Sequence, residues 1–148
     1  MMQGFRHVIP IEVRFRDIDV FGHVNNGVIF TYIETGRIRY LVDVGIRSPR
    51  AGWNDIAFIL AHINCDFRRP IFYEQHVEIG SRITEIGRSS MKLEHRIEAD
   101  GELVAEGNAV LVHYDYAAQR SMPISPEMRA RIEVFERSGL PGQKGVSG

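Results

Sequence analysis

The chain has 148 residues, which is enough for a single domain with a sizeable hydrophobic core. Its formal net charge is −1, from 18 basic and 19 acidic residues, so we expect neither a nucleic-acid-binding surface nor a polybasic membrane-binding surface. No segment reaches the roughly 18 consecutive apolar residues of a membrane helix, and residues 1–10 lack the apolar run of a signal peptide. The single cysteine, Cys65, excludes an internal disulfide and argues against a cysteine-based zinc site. We therefore expect a cytoplasmic protein whose partners are small molecules or copies of itself.

The first predicted elements are a strand and a long helix. Residues 11–16 alternate between apolar and charged side chains, which predicts a half-buried strand over Ile11–Arg16. Asn25 or Asn26 can cap the following helix, and Gly45 can end it. The apolar stripe of this helix consists of Ile29, Ile33, Gly36, Tyr40 and Val44. A glycine within such a stripe predicts very close packing of the helix against another backbone.

The rest of the chain is predicted to consist mostly of strands. A turn-rich connection at Arg47–Asp55 contains the only tryptophan, Trp53. Four strands are predicted after it, at residues 59–67, 76–86, 91–99 and 102–114. The last two are joined by Asp100-Gly101, a dipeptide favoured in tight hairpin turns.

The chain is predicted to end with a short helix and a tail. Ser125 can cap the helix, which runs to about Arg137, and the Gly-rich tail at residues 139–148 is predicted to be disordered. The order of elements indicates an α+β protein with one domain over residues 1–138. One long helix covers only one face of an antiparallel sheet, so the other face must be polar or covered by a partner, and we expect self-association.

The junction between the first strand and the long helix contains the most informative residues. Its sequence is Arg16-Asp17-Ile18-Asp19-Val20-Phe21-Gly22-His23-Val24-Asn25-Asn26. A carboxylate beside the free N–H groups of a helix start can serve as a base or a nucleophile. The N–H groups themselves stabilise negative charge that develops on an oxygen atom. Together they indicate acyl-transfer chemistry.

The two aspartates of this junction have different expected roles. Asp19 is the candidate catalytic carboxylate, although aspartates before helices also serve as turn or capping residues. Asp17 is predicted to be mainly structural, as a partner of Arg14 or Arg16. Asn25 and Asn26 matter more for their backbone N–H groups than for their amides.

Other polar residues leave alternatives open. His23 can orient a carboxylate or a water molecule, contact a ligand, or make a structural hydrogen bond in the turn. Glu34 can assist a water molecule or pair with Arg37, three residues further along the helix. Cys65 is predicted to be a packed core thiol. The six histidines have no metal-binding spacing, and no G-x-S-x-G motif supports a serine hydrolase.

The motif from Asp19 to Asn26, with Tyr32, Glu34 and Arg37 on the helix, resembles the 4-hydroxybenzoyl-CoA thioesterase-like acyl-CoA thioesterases. The resemblance extends over residues 8–116. It implies the hotdog fold, in which a curled antiparallel sheet wraps around one long helix. It also implies hydrolysis of an acyl-CoA thioester to a carboxylic acid and CoA, with no metal or other cofactor. The resemblance further implies a homodimer or homotetramer whose active sites lie at the interface between subunits.

The resemblance also implies roles for individual residues. Asp19 corresponds to the carboxylate that attacks the thioester or activates water, and the backbone N–H of Asn26 corresponds to the donor that polarises the carbonyl. CoA phosphates are expected at the turn that contains Arg88, Ser89 and Ser90. Two alternatives stay open: a non-catalytic acyl-CoA-binding module of the same fold, and a hydratase or dehydratase.

Overall fold

A computed structural model of the chain describes residues 2–48 and 57–138. Residues 49–55 of the predicted connection, including Trp53, and the predicted tail at 139–148 lie outside the described residues. The elements in chain order are β1 (His7–Ile11), a 3₁₀ turn (Phe15–Asp17), α1 (Asn26–Val44), β2 (Ala57–Phe67), β3 (Val77–Ile86), β4 (Ser90–Ala99), β5 (Glu102–Asp115), β6 (Arg120–Ser121) and α2 (Pro126–Ser138).

The strands form one antiparallel sheet in the order β1-β3-β4-β5-β2, with the short β6 paired to the end of β5. Helix α1 packs on this sheet, mainly against β3. The predicted fold class is confirmed: a curled antiparallel sheet with a long central helix, which is the hotdog fold. The sequence did not predict β6.

The first strand was predicted in the wrong place, because β1 ends at Ile11, where the predicted strand began. The backbone N–H of Arg14 donates to the Asp17 carboxylate at 3.0 Å, and the N–H of Asp17 donates to the Arg14 carbonyl at 2.9 Å. These local bonds close the 3₁₀ turn and compete with strand pairing. Phe15, expected on the inner side of a strand, is instead 79% exposed.

Helix α1 begins and ends where the sequence predicted. The side chain of Asn25 accepts a hydrogen bond from the Gly27 N–H at 2.7 Å, which identifies Asn25 as the N-cap. Gly45 ends the helix with φ of 87°, a left-handed conformation that glycine adopts without strain. All five residues of the predicted apolar stripe are buried.

Gly36 packs as closely as predicted, although its neighbours are side chains of β3 rather than a backbone. A Cβ atom at Gly36 would lie 2.8 Å from Cδ1 of Ile79 and 3.1 Å from Oγ of Ser81. Contacts that short force a neighbour to move. The glycine therefore sets the distance between α1 and the sheet.

We expect Gly36→Ala to lower the free energy of unfolding by about 1–3 kcal/mol, because the added methyl group overpacks the core. The intrinsic helix preference for alanine over glycine acts in the opposite direction and is worth only about 1 kcal/mol. Thr35→Ala, on the exposed side of the same helix, is the matched control and should be neutral or slightly stabilising. Chemical denaturation measures both variants, and a Gly36→Ala variant more stable than wild type would contradict the packing described.

The strands after the helix follow the predicted pattern closely. In β4 the predicted inward residues are all buried, namely Met91, Leu93, His95, Ile97 and Ala99. The turn between β4 and β5 is the predicted one, with positive φ at both Asp100 and Gly101. Helix α2 is capped by Ser125, whose hydroxyl accepts from the Met128 N–H at 3.1 Å.

The alternation predicted for β2 is wrong in its first half. A bulge between Leu60 and His62 shifts the pairing with β5. As a result Phe58, rather than Ile59, packs against the core, while Ile63 and Cys65 face inward as predicted. An extra residue in one strand moves every preceding side chain to the other face.

Two apolar clusters fill the space between the helices and the sheet. The first lies along the N-terminal half of α1 and includes Ile29, Ile33, Ile79 and Ile97. The second lies along the C-terminal half of α1, where α2 also packs, and includes Tyr40, Leu41, Leu93, Ile132 and Phe135. Between them the row Ser81, His95, Gly107 and Cys65 crosses four neighbouring strands. The packing of α2 was not predicted.

The outer face of β3 and β4 carries charged side chains. Arg82 and Glu94 form an ion pair at 3.0 Å across β3 and β4, and Arg96 pairs with Glu98 at 2.7 Å. This part of the outer face is polar, and self-association stays a prediction.

Candidate active site

The loop that carries Asp19 is a compact hairpin. The N–H of Asp19 donates to the carbonyl of His23 at 3.0 Å, and the N–H of Gly22 donates to the carbonyl of Asp19 at 3.0 Å. Gly22 has φ of 87°, the left-handed conformation expected of the last residue in such a loop. The N–H of Phe21 donates to Oδ1 of Asp19 at 2.9 Å. One carboxylate oxygen of Asp19 is thereby fixed, and the loop holds the side chain in place.

Backbone hydrogen bonds tie this loop to the start of α1. The Asn25 N–H donates to the carbonyl of Asp17 at 3.0 Å, and the Val24 N–H donates to the carbonyl of Ile71 at 2.8 Å. The loop of Asp19 and the N-terminus of α1 therefore lie at the same end of the fold.

The N–H of Asn26 is the free donor at this helix start. The N–H of Gly27 is occupied by the Asn25 side chain, and those of Val28 and Ile29 donate to the Asn25 carbonyl. Within residues 2–48 and 57–138, no group accepts a hydrogen bond from the N–H of Asn26. A free N–H at a helix N-terminus is suited to bind an oxygen that gains negative charge.

Asp17 is a structural anchor, as predicted. It is 2% exposed and accepts hydrogen bonds from the Tyr32 hydroxyl at 2.7 Å and from the Arg14 guanidinium at 3.0 Å. Burial alone would raise the pKa of Asp17, but the hydrogen bonds from Tyr32 and Arg14 outweigh it and lower the pKa below its usual range. The sequence predicted the arginine partner and missed the bond from Tyr32.

We expect Asp17→Ala to lower the free energy of unfolding by about 2–4 kcal/mol, since it leaves the buried Tyr32 hydroxyl without a partner. Tyr32→Phe, which removes only one of the hydrogen bonds, should lower the free energy of unfolding by less.

Because the pKa of Asp17 is lower in the folded than in the unfolded chain, ionisation of Asp17 stabilises the fold above about pH 4. This stabilisation is lost as the pH falls through the folded-state pKa. Chemical denaturation at neutral and acidic pH measures how the free energy of unfolding depends on pH. If wild type and Asp17→Asn lost equal stability in acid, the stabilising role of the ionised Asp17 would be contradicted.

His23 and Glu34 both lie away from a direct contact with Asp19 in the described structure. Nδ1 of His23 lies 3.2 Å from the carbonyl of Val24, and its ring stacks on Phe21. The Glu34 side chain is 65% exposed and lies 3.9 Å from the guanidinium of Arg37. The geometry favours the structural alternative for His23 and the pairing alternative for Glu34.

The predicted CoA turn lies at the other end of the helix. Gly87-Arg88-Ser89 connects β3 to β4 next to the second core cluster, whereas Asp19 and Asn26 are at the N-terminus of α1, a helix of roughly 28 Å. The turn is fixed by main-chain bonds from His113 to Ser89 and from Ile124 to Arg88. Within one chain, the predicted CoA-binding turn and the predicted catalytic residues Asp19 and Asn26 therefore lie at opposite ends of α1.

A second basic residue that the sequence reasoning missed lies at this turn. Arg129 of α2 donates to the carbonyl of Gly87 at 2.9 Å. Arg88 therefore has a cationic neighbour from a distant part of the chain, which no local pattern could indicate.

Three further observations concern a thiol nucleophile, a metal site and a membrane span. Cys65 is partly buried, and burial raises the pKa of its thiol, which disfavours the thiolate needed by a nucleophile. In the described parts of the chain no three His, Cys, Asp or Glu residues are grouped so that they could hold a metal ion. Neither described helix is long and apolar enough to span a membrane.

Comparison with known proteins agrees with the fold and the motif. Residues 13–132 match the family model of the thioesterase-like superfamily. The chain is 29% identical over 128 residues to the long-chain acyl-CoA thioesterase FadM of Escherichia coli, covering 83% of this chain and 94% of FadM. It is 38% identical to a thioesterase of Thermus thermophilus whose crystal structure contains coenzyme A and zinc, with a TM-score of 0.80 and coverage of 94% and 100% of the two chains. The chain belongs to the thioesterase-like superfamily, and the resemblance indicated by its Asp19–Asn26 motif is confirmed.

Proposed function

We propose that the protein is an acyl-CoA thioesterase that hydrolyses its substrate to a carboxylic acid and CoA without a metal. The observation that carries the proposal is the free N–H of Asn26 at the same end of the fold as the Asp19 carboxylate. The similarity to FadM and to a thioesterase that binds coenzyme A supports acyl-CoA as the substrate class.

In the proposed reaction the thioester carbonyl oxygen accepts a hydrogen bond from the N–H of Asn26. The carbonyl carbon is attacked either by the Asp19 carboxylate, which forms a mixed anhydride that water then hydrolyses, or by a water molecule that gives its proton to Asp19. In both routes the carbon–sulfur bond breaks and CoA leaves as a thiolate that takes up a proton. The Phe21 N–H holds Oδ1 of Asp19, so the other oxygen is available for the reaction.

The assignment gives the neighbouring polar residues supporting roles. We assign His23 to the structure of the turn and Glu34 to the pair with Arg37, on the contacts described above. The CoA phosphates are assigned to Arg88, Ser89 and Ser90, with Arg129 as a second cation.

We further propose that the working unit is a homodimer, or a pair of dimers. Strand β2 is the edge of the described sheet, pairs only with β5 there, and leaves a row of backbone groups open. Apolar side chains around the Asp19 loop are exposed in a single chain, including Val20 at 96% and Phe21 at 80%. A second copy would cover them and could bring its own Arg88 turn to the Asp19 end of the first. Sedimentation at micromolar concentration should give at least twice the chain mass, and a monomer would overturn this part.

The alternative is a non-catalytic module that binds acyl-CoA at the same site. A thiol-reactive dye distinguishes the two on a panel of acyl-CoAs of graded length, together with benzoyl-CoA and phenylacetyl-CoA. Thiol release above background with at least one member supports the enzyme and reveals its acyl class. Binding measured by calorimetry, with no thiol release from any member, would favour the module.

A further inference from the structure

An open groove of about 250 Å³ lies between α2 and the end of β3, next to the predicted CoA-binding turn. Its apolar floor consists of three isoleucines, Ile83, Ile86 and Ile132. Arg129, Glu133 and Glu136 line its α2 side. An apolar surface with a few polar groups at fixed places is the usual composition of a small-molecule site.

The charged groups of this groove are ordered along its length. Arg129 marks the end at the turn, since its guanidinium donates to the Gly87 carbonyl at 2.9 Å. Glu136 marks the far end, where its Oε2 accepts from the Ile83 N–H at 3.0 Å. Glu133 follows Arg129 by four residues, so it lies on the same face of α2 and about 6 Å further from the turn. The groove therefore has a cationic end at the turn and a carboxylate wall beyond it.

The acids of the groove differ in what they already bind. Glu136 accepts from the Tyr40 hydroxyl as well as from the Ile83 N–H, and Glu85, also in the lining, pairs with Lys92 at 3.2 Å. Glu133 is exposed and forms no ion pair with any described residue. Its carboxylate is the one acceptor on the α2 side of the groove that is still available to a ligand.

We propose, resting on the thioesterase function above, that this groove holds the adenosine part of CoA. The phosphates lie at the turn, between Arg88 and Arg129. The flat base packs on the isoleucine floor, and its exocyclic amine donates a hydrogen bond to Glu133. The ligand then has its negative charge at the cationic end of the groove and a neutral donor at the carboxylate. The groove thereby selects thioesters of CoA over those of bare pantetheine, which has no nucleotide.

The test compares CoA with deaminated CoA, in which hypoxanthine replaces adenine. The keto oxygen of hypoxanthine takes the place of the amine, cannot donate a hydrogen bond, and would face the Glu133 carboxylate. Calorimetry with the full wild-type chain should show CoA binding about tenfold more tightly than the deaminated form, the value of one hydrogen bond to a charged group.

Glu133→Met should bring the ratio of the two affinities close to one. Glu127→Met is the matched control, because Glu127 is exposed on the same helix, pairs with Arg131 and does not line the groove. Both variants remove one negative charge, so any change in the long-range attraction of the phosphates affects both ligands alike and leaves the ratio unchanged. Both positions are exposed, and thermal unfolding should show both variants folded.

Four results would overturn the adenosine site: no binding of CoA, equal affinities of wild type for the two forms, a preference that Glu133→Met keeps, or one that Glu127→Met also loses. The thioesterase proposal is tested separately by thiol release from acyl-CoA. Absence of thiol release, with CoA still preferred over its deaminated form, would overturn the enzyme and leave the adenosine site in place. Thiol release with equal affinities would do the reverse.

Discussion

Asp19→Asn is expected to lower kcat for acyl-CoA hydrolysis by about 10³-fold or more while the fold stays intact. An amide can neither attack the thioester carbonyl nor take a proton from water at neutral pH. In the wild-type chain the Phe21 N–H that holds the loop donates to Oδ1 of Asp19 at 2.9 Å. The amide oxygen of an asparagine can accept the same hydrogen bond. The loss should therefore appear in turnover, with the thermal unfolding temperature close to that of wild type.

The matched control for this substitution is Asp115→Asn. Asp115 also sits at a turn, where Oδ1 accepts from the N–H groups of Ala117 and Ala118 at 2.9 and 3.1 Å. It lies outside the proposed site, so the control should keep both turnover and stability. Near-normal turnover by Asp19→Asn would show that another group drives the reaction.

Asn26→Pro is expected to lower kcat by about 10²–10³-fold, the usual effect of losing one oxyanion donor. Proline has no N–H, and it is favoured at the first position of a helix, which is the position of Asn26. The preceding residue, Asn25, has φ of −60° and ψ of 137°, a conformation compatible with a following proline. The substitution therefore removes the proposed donor without a reason for α1 to unwind.

Asn26→Ala separates the backbone from the side chain at this position. It keeps the N–H and removes the amide, so turnover should stay within a few-fold of wild type. Circular dichroism and thermal unfolding confirm that both variants are folded. If Asn26→Ala lost as much turnover as Asn26→Pro, the side chain rather than the N–H would be the functional group.

Local patterns predicted the parts of the structure that depend on local physics. The ends of α1 follow from a capping asparagine and a left-handed glycine, and the turn at Asp100-Gly101 follows from the same conformational preference. The alternation of β4 was correct because that strand is paired on both sides without a bulge at its centre.

The wrong and missing predictions depend on bonds between distant or competing groups. The strand predicted at Ile11–Arg16 is displaced because Asp17 bonds Arg14 locally, which alternation of apolar residues cannot show. The bulge after Leu60 is set by pairing with β5. The contact of Arg129 with the Gly87 turn and the bond from Tyr32 to Asp17 join residues far apart in the chain.

For the candidate site too, the sequence indicated some residues and not others. The motif located Asp19 and Asn26 and implied their roles through the family resemblance, and those roles stay predictions. The motif and the pairing with Glu34 both include Arg37, but neither indicates that its side chain is buried.

The measurement that tests the central claim most directly is the yield of both products from acyl-CoA incubated with the purified wild-type chain. We expect CoA and free carboxylic acid to appear in equal amounts, over many turnovers per chain, for at least one acyl class. Saturable binding of acyl-CoA with neither product above the buffer control would contradict a thioesterase and identify the protein as an acyl-CoA-binding module.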